Sequence, residues 1–414
     1  MVIRKDSIVF TPSHIGQLEI KNRLVRSATY ENAATSKGEV SDFLVDLYRT
    51  LAKGGVGLII TSAAGVYSKA PGLDLGIRAD NDDLIPSLRK IPQAVHEAAP
   101  DCRVILQLVH LGRQVIHQED RPKLMRVLPP ALMAYIQKHP EVIAPPSEPP
   151  RVVEPTAPSA VYDATFDRTP RALTPDEIDE IIEAFAESAR RAQEVGFDGV
   201  QLHAAHGWLL SSFLSPRTNQ REDQYGGSTE NRTRIVKDIY QRARRKVGDR
   251  FSILIKINTT DFLPGGIDLN EVVRLGKMLV GVGFGAIETS GGMWEALTRK
   301  QEELGWLPVI LPESRTGIKT QDQEAYFLPG AKALKEKTNA TVIAVGGFRS
   351  FSKIEEVLNS KAADFISMSR PFIRQPDLPD LWRCGEGPDK AECISCNACL
   401  SIGNARLACR AKIQ

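Results

Sequence analysis

Two histidines three residues apart, His203 and His206, are residues in this 414-residue chain whose type and spacing could do chemistry. They follow the short, mostly apolar run Asp198-Gly199-Val200-Gln201-Leu202 and precede a segment crowded with Pro, Gly, Asn and Arg. They therefore stand where a strand ends and a loop begins, which in a (β/α)8 barrel is where catalytic side chains are presented. A zinc reading of the pair is poor, because no third ligand is near and helical zinc sites use HExxH spacing. Cys393, Cys396, Cys399 and Cys409 form a second cluster; four thiolates so close in sequence could chelate zinc or an iron–sulfur cluster. Lys256 lies inside the apolar run Ile253-Leu254-Ile255-Lys256-Ile257, where an unpaired charge is costly, so it has either a structural ion-pair partner or a ligand. Gly346-Gly347 permits close backbone approach, and Ser369-Arg370 offers a planar fork of donors. Both are suited to a phosphate at the loops after the last two strands of a barrel.

The elements that must position these residues are legible as an alternation. Eight β-rich runs occur in order: Leu24–Ala28, Gly57–Ser62, Arg103–Leu108, Gly199–His203, Ser252–Asn258, Ala286–Ser290, Thr341–Val345 and Phe365–Ser369. Most are near-continuously apolar, as strands covered on both faces should be. Amphipathic segments separate them: Asp42–Lys53, Asp83–Ala98, Pro175–Val195, Thr229–Val247, Asp268–Val282, Gln323–Lys337 and Ser350–Asn359. Thr174 stands three residues before Glu177, a capping-box start. The alternation predicts an α/β fold, a (β/α)8 TIM barrel; a doubly wound sheet is the rival. Gly281-Val-Gly283-Phe-Gly285 imitates a dinucleotide fingerprint but ends a helix and precedes a strand, so it reads as a helix cap and turn. Gly54-Gly55-Val56-Gly57 is rejected on the same ground.

The stretch from Gly112 to Thr174 breaks the rhythm. Nine of the 26 prolines fall in 129–158, too many for a core helix. The insertion leaves after the third strand, on the catalytic face, and is expected to form either a lid or wall of the substrate cleft or a mobile surface excursion with no role. The division expected is a barrel over 1–385 and a short Cys-rich tail over 386–414. A net charge of +2 gives no electrostatic case for nucleic acid, and no apolar run approaches the ~18 residues that span a bilayer. The N-terminus lacks a signal-peptide core and no lipidation signal ends the chain, so a cytoplasmic protein is expected.

The stretch His203-Ala204-Ala205-His206-Gly207, followed by Phe213-Leu214-Ser215-Pro216, Asn219, Arg221, Asp223, Tyr225-Gly226-Gly227-Ser228 and Glu230-Asn231-Arg232, resembles the old yellow enzyme family of flavin-dependent ene-reductases. Phe10, Pro12, Ile15-Gly16, Lys21-Asn22-Arg23-Leu24-Val25, Gln107-Leu108, His110, Gly112-Arg113, Gly346-Gly347 and Ser369-Arg370 extend the likeness over residues 8–380. The resemblance implies FMN as cofactor, NADH or NADPH as hydride donor and a small electrophilic substrate carrying an activated C=C bond of the enone or enal type. By the same likeness, Gly346, Gly347, Ser369 and Arg370 hold the flavin phosphate and Gln107 meets the pyrimidine edge. Lys256 takes the place of an arginine near the ring, while Ala28, Thr29 and Ala63 line it through the backbone. His203 and His206 match the pair that hydrogen-bonds the substrate oxygen.

Two further positions depart from the family. Tyr30 stands where a Thr or Cys is usual; contact with flavin, contact with substrate and space-filling all stay open. Trp208 stands where the family has its proton-donating tyrosine, and an indole N–H is no usable acid. Tyr30 and Tyr67 are the substitutes the sequence offers. The tail is similar to, but more tightly spaced than, the four-cysteine motif of the 2,4-dienoyl-CoA reductase and trimethylamine dehydrogenase branch. A [4Fe–4S] cluster, zinc and free thiols remain open for it, and with no second redox region after it the tail is expected to be dispensable for barrel chemistry. The alternatives to an ene-reductase are a flavin-dependent dehydrogenase or desaturase of a biosynthetic pathway, and a non-catalytic flavin- or metal-binding module. A homo-oligomer is compatible with all of these.

Overall fold

The eight apolar runs become eight parallel strands that close on themselves. In order they are Leu24–Arg26, Leu58–Gly65, Arg103–Val109, Gly199–Ala204, Ser252–Asn258, Ile287–Ser290, Val342–Ala344 and Phe365–Met368, the last pairing with the first. The structure is a computed structural model that describes residues 4–70, 72–143, 153–309, 311–401, 403 and 405–411. Closure buries both faces of every strand, which is why the sequence shows continuous apolar runs rather than alternation. Inward residues Val25, Leu58, Ile60, Ile105, Leu254, Ala286, Ile343 and Phe365 fill the barrel, and Ile15 and Ile20 from an antiparallel hairpin (Ser13–Ile15 with Leu18–Ile20) join that cluster. Outward residues meet the surrounding helices in a second, larger core.

Helices Asp42–Lys53, Pro175–Val195 and Thr229–Val247 occupy the expected ranges, and Thr174 and Glu177 make the full reciprocal cap. Gly283 ends the helix Leu269–Val282 with φ +109°, the cap and turn expected there. Two expectations needed adjustment. The segment 83–98 is a 3-10 turn Asp82–Leu84 followed by two helices, Ile85–Leu88 and Lys90–Ala98, because Pro86 and Pro92 each remove a backbone donor and start a new first turn. The helix expected from Gln323 starts at Leu328, with Pro329 in its first turn.

The Pro-rich insertion is more ordered than its composition implied. It forms two helices, Arg121–Met125 and Pro130–Lys138, with Pro122 and Pro130 at the N-terminal positions that tolerate proline. Leu124, Leu128, Leu132 and Ile136 pack with Phe166 and with Trp294 from beyond the sixth strand, so the insertion walls the end of the barrel where the strands finish. Arg113 anchors it, donating from Nε to Asp163 Oδ2 at 2.8 Å with both side chains buried. Residues 144–152 of the insertion lie outside the described residues.

The helix Pro175–Val195 feeds the strand that ends in the two histidines, and its cap is a local, separable contribution. Thr174→Ala should lower unfolding free energy by about 1 kcal/mol, read as a shift of the urea midpoint with unchanged slope; an unshifted midpoint would show that the box contributes nothing.

Candidate active site

A row of buried polar side chains crosses the barrel at the level where the strands end. Lys256 on the fifth strand is in register with Glu288 on the sixth and with His203 on the fourth. Its ammonium donates to Ser27 Oγ at 3.0 Å and lies 3.4 Å from Glu288 Oε1. Glu288 also accepts from Ser27 Oγ (2.8 Å) and Ser367 Oγ (2.8 Å) at Oε1, and from Gln201 Nε2 (2.9 Å) at Oε2. Gln107 Nε2 donates to Gln201 Oε1 at 2.7 Å, extending the row to the third strand, where Ala63 faces Gln107 in the register. The charge inside the apolar fifth strand thus has an ion-pair partner. Sequence reasoning missed Glu288, Gln201, Ser27 and Ser367; the signal was present, since Glu288 is likewise a charge inside a buried strand.

The two histidines stand at the end of this row with ring centroids 5.1 Å apart and planes at 89°. His206 is held in the left-handed region at φ +63°, uncommon for a side chain other than glycine. Its backbone N–H donates to Asn258 Oδ1 at 3.0 Å, and Asn258 is itself fixed by Asp261 at 2.8 Å. His206 Nε2 lies 2.7 Å from Ser290 Oγ, and Nδ1 lies 3.7 Å from Glu313 Oε1. His203 Nδ1 is buried without a partner. Burial pushes both imidazoles well below the ordinary histidine range, and the nearby Lys256 charge adds to the effect. Both rings are therefore neutral donors near neutrality. An uncharged donor aimed at a developing oxyanion costs no reorganisation when the charge appears.

The residues expected to handle the proton are placed elsewhere. Trp208, 7% exposed, packs its indole between His203 and Trp294, each with ring centroids 6.1 Å away, as a wall. Tyr30 turns its hydroxyl onto Asn32 Oδ1 at 2.6 Å and onto the Asp74 carbonyl, and burial raises it far above the ordinary tyrosine range. Tyr67 donates to Glu180 Oε2 at 2.6 Å on the outer helix, and burial and that carboxylate raise it too. Both hydroxyls of these two candidates are thus engaged with partners other than the histidine pair.

At the far side of the mouth, Gly346 and Gly347 adopt φ +134° and +78°, and there is no room for a side chain on Gly347. A Cβ there would come 2.5 Å from Ile318 and 2.6 Å from Tyr326. Thr29 Oγ1 and Ser369 Oγ are 2.6 Å apart, linking the loops after the first and eighth strands beside Ala28 and Arg370. Arg370 donates from Nη1 to the Arg315 carbonyl (2.7 Å) and to Asn397 Oδ1 (2.6 Å). Arg315 stacks over Tyr326, 4.4 Å to the centroid, with its Nε buried and unpartnered. A flavin needs both donors and acceptors along its ring and a backbone cradle for its phosphate. The unpartnered His203 Nδ1 and Arg315 Nε, with Lys256 and the Gly346-Gly347 turn, fit that requirement.

The tail lies across the mouth. Asn397 bonds Ser314 and Arg370, Ser401 Oγ donates to the Tyr30 carbonyl at 3.0 Å, Asn32 Nδ2 donates to the Gly403 carbonyl at 2.8 Å, and Leu407 N donates to the Glu31 carbonyl at 2.9 Å. These bonds tie the segment to Arg370 and to the loop after the first strand. The metal assignment for Cys393, Cys396, Cys399 and Cys409 is not carried by the geometry: among the described residues no group of three or more His, Cys, Asp or Glu converges to hold an ion. Burial pushes the Cys399 thiol up to about 12, and Cys393, Cys396 and Cys409 lie near enough to add to the shift.

Because His203 and His206 are neutral when folded, the unfolded chain binds more protons than the native one as pH falls below the ordinary histidine value of 6.5. Stability should therefore fall with pH through that point, and His203→Asn and His206→Asn should each shallow the slope. Urea midpoints at a series of pH values check this; parallel slopes in wild type and variants would place the charged form in the folded protein.

Residues 8–384 match the NADH:flavin oxidoreductase / NADH oxidase family. The chain is 32% identical over 406 residues to an NADH oxidase of Thermoanaerobacter brockii, covering 97% of this chain and 55% of that protein. It is 30% identical over 377 residues to an NADPH dehydrogenase of Geobacillus sp. (strain WCH70), covering 90% and 93%. It spans about half the length of the first of these and of a metal reductase of Desulforamulus reducens (51%). Among solved structures it resembles a 2-naphthoyl-CoA reductase in complex with 2-naphthoyl-CoA, with TM-score 0.80, 25% identity and coverage of 97% and 56%. Morphinone reductase in complex with tetrahydroNAD shares the fold, with TM-score 0.67, 24% identity and coverage of 94% and 93%. With a family match that spans the whole barrel, the chain belongs to the NADH:flavin oxidoreductase / NADH oxidase family.

Proposed function

We propose that this chain is an FMN-dependent oxidoreductase that takes hydride from NADH or NADPH and reduces an activated C=C bond of the enone or enal type, or a related acceptor. The observation that carries the reading is the pair of neutral imidazoles at the end of the fourth strand, one with a buried ring nitrogen that has no partner, beside a buried lysine. When bound, FMN would supply the two-electron chemistry, accepting hydride and passing it on. Gly346, Gly347, Ser369 and Arg370 would hold its phosphate, and Gln107 and Lys256 its ring, with Ala28, Thr29 and Ala63 beside it.

The chain's own residues divide the remaining work. His203 donates to the substrate oxygen and stabilises the negative charge that develops there. The row from Gln107 to Glu288 keeps Lys256 immobile, so its positive charge is preset rather than recruited. Trp208, Trp294 and the insertion helices exclude water from the face above the histidines. The domain reading that accompanies this is a barrel over 1–385 with the 386–414 tail laid onto it as a cover.

Arg370→Ala removes charge-assisted bonds to the phosphate and should release FMN on gel filtration where the wild type stays loaded; equal retention would take Arg370 out of the site. The redox reading is tested by anaerobic bleaching with NADPH or NADH followed by addition of cyclohexenone. The wild type should reoxidise, and His203→Ala should do so on the order of 10²–10³ more slowly. A flavin that bleaches but is never reoxidised by enones or enals would remove the ene-reductase reading.

A further inference from the structure

The site has neutral hydrogen-bond donors and a buried positive charge, but Trp208, Tyr30 and Tyr67 offer it no acid. Trp208 cannot give up a proton at useful cost. Tyr30 and Tyr67 spend their hydroxyls elsewhere. Saturating a C=C bond nevertheless needs one proton for every hydride. One carboxyl stands at the histidine pair. Glu313, on the long loop after the sixth strand, puts Oε1 3.7 Å from His206 Nδ1, while its Oε2 is sealed from solvent and has no partner.

We propose that Glu313 is the resident proton source of the reaction and delivers its proton through the His206 ring; this rests on the ene-reduction reading above. The loop is fixed for the purpose: Tyr326 donates its hydroxyl to the Glu313 carbonyl at 2.8 Å, and Arg370 donates to the Arg315 carbonyl two residues on. The far side of the ring is also occupied, since His206 Nε2 sits 2.7 Å from Ser290 Oγ. The ring therefore lies between a hydroxyl that it hydrogen-bonds and a carboxyl 3.7 Å away, an order of groups that a relay would use once the carboxyl closes that gap. The charged and titratable groups around Glu313 are His206 and its neighbour His203, Lys256, Arg370 and Tyr326. Burial raises Glu313 to about 7, with Lys256 and Arg370 opposing, so near neutrality it can both hold a proton and release one.

The hydride that bound FMN would supply would form a C–H bond at the β-carbon, moving the π electron pair of the C=C bond onto the substrate oxygen as an enolate. The Glu313 O–H bond breaks and His206 Nδ1 takes that proton; Nε2 passes one to Ser290 Oγ, and the proton that Ser290 gives up forms the C–H bond at the α-carbon as the enolate collapses. Glu313 ends as a carboxylate, His206 returns to neutrality as its other tautomer, and Glu313 regains its proton from solvent. Glu313 is thus a positioning residue acting through His206.

The test compares Glu313→Gln and Glu313→Asp with wild type, all FMN-loaded and pre-reduced, against cyclohexenone and a nitroalkene, with histidine ring 15N spectra of the flavin-free proteins over pH as the second readout. Glu313→Gln should reduce cyclohexenone on the order of 10²–10⁴ times more slowly and lose the inflection near pH 7. It should still pass hydride to the nitroalkene at near the wild-type rate, releasing nitronate, because that carbanion is already stabilised. Glu313→Asp should recover part of the cyclohexenone rate. In flavin-free wild type a His206 nitrogen should respond to a proton change near pH 7, and in Glu313→Gln it should not. An unchanged cyclohexenone rate and pH profile in Glu313→Gln, or His206 signals indifferent to the substitution, would overturn the relay alone. A wild type that passes hydride to neither acceptor would overturn the ene-reduction reading and the relay with it.

Discussion

The buried pair of Lys256 and Glu288, side by side on the fifth and sixth strands, is the constraint around which the site is arranged. Two opposite charges in the interior of a barrel are tolerable only if their remaining donors and acceptors are satisfied. Ser27, Ser367 and Gln201 do that for Glu288, and Gln107 holds Gln201 in turn. The apolar cluster fills the barrel below, and the polar row closes it at the level where ligand begins. The row therefore serves packing and chemistry together, drawing the first, third, fourth, fifth, sixth and eighth strands into one rigid surface.

The histidines depend on that surface. Burial and the lysine charge keep both imidazoles neutral, and a neutral ring can donate one proton in a hydrogen bond without repelling Lys256. The cost of holding His206 at positive φ is met by Asn258 and Asp261 beneath it, the over-determination expected where backbone strain sits at a functional site. The loss of the usual tyrosine at Trp208 then ceases to be a local oddity. A bulky indole between His203 and Trp294 makes that wall apolar, and any acid has to come from the other side, where the loop after the sixth strand and the tail meet.

The barrel was legible in the sequence because all eight strands are covered on both faces and so read as apolar runs, with boundaries off by a few residues at most. Lys256 was legible because it breaks a local pattern, while the histidine pair, Gly346-Gly347 and Ser369-Arg370 stood out through their resemblance to a family motif. Glu288 breaks the same pattern and was overlooked; its partner could have been sought on the neighbouring strand once Lys256 was noticed. The helices of the insertion were hidden by a count of prolines that ignored where in a helix a proline is harmless. Glu313 and the tail contacts were not legible at all: they sit in irregular segments without period, and their roles come from contacts with residues distant in the chain, such as Asn397 with Ser314 and Leu407 with Glu31.

If the polar row exists to set charge under a flavin, the reduction potential of bound FMN must depend on Lys256. The most direct measurement is that potential in wild type and in Lys256→Met, by equilibration with reference dyes under anaerobic conditions. Removing the ammonium takes away the stabilisation of the anionic reduced ring and leaves Glu288 uncompensated, so the potential should fall in the variant. A potential that is unchanged or higher would mean that the flavin ring does not lie over Lys256, and the account of the site would be wrong at its centre.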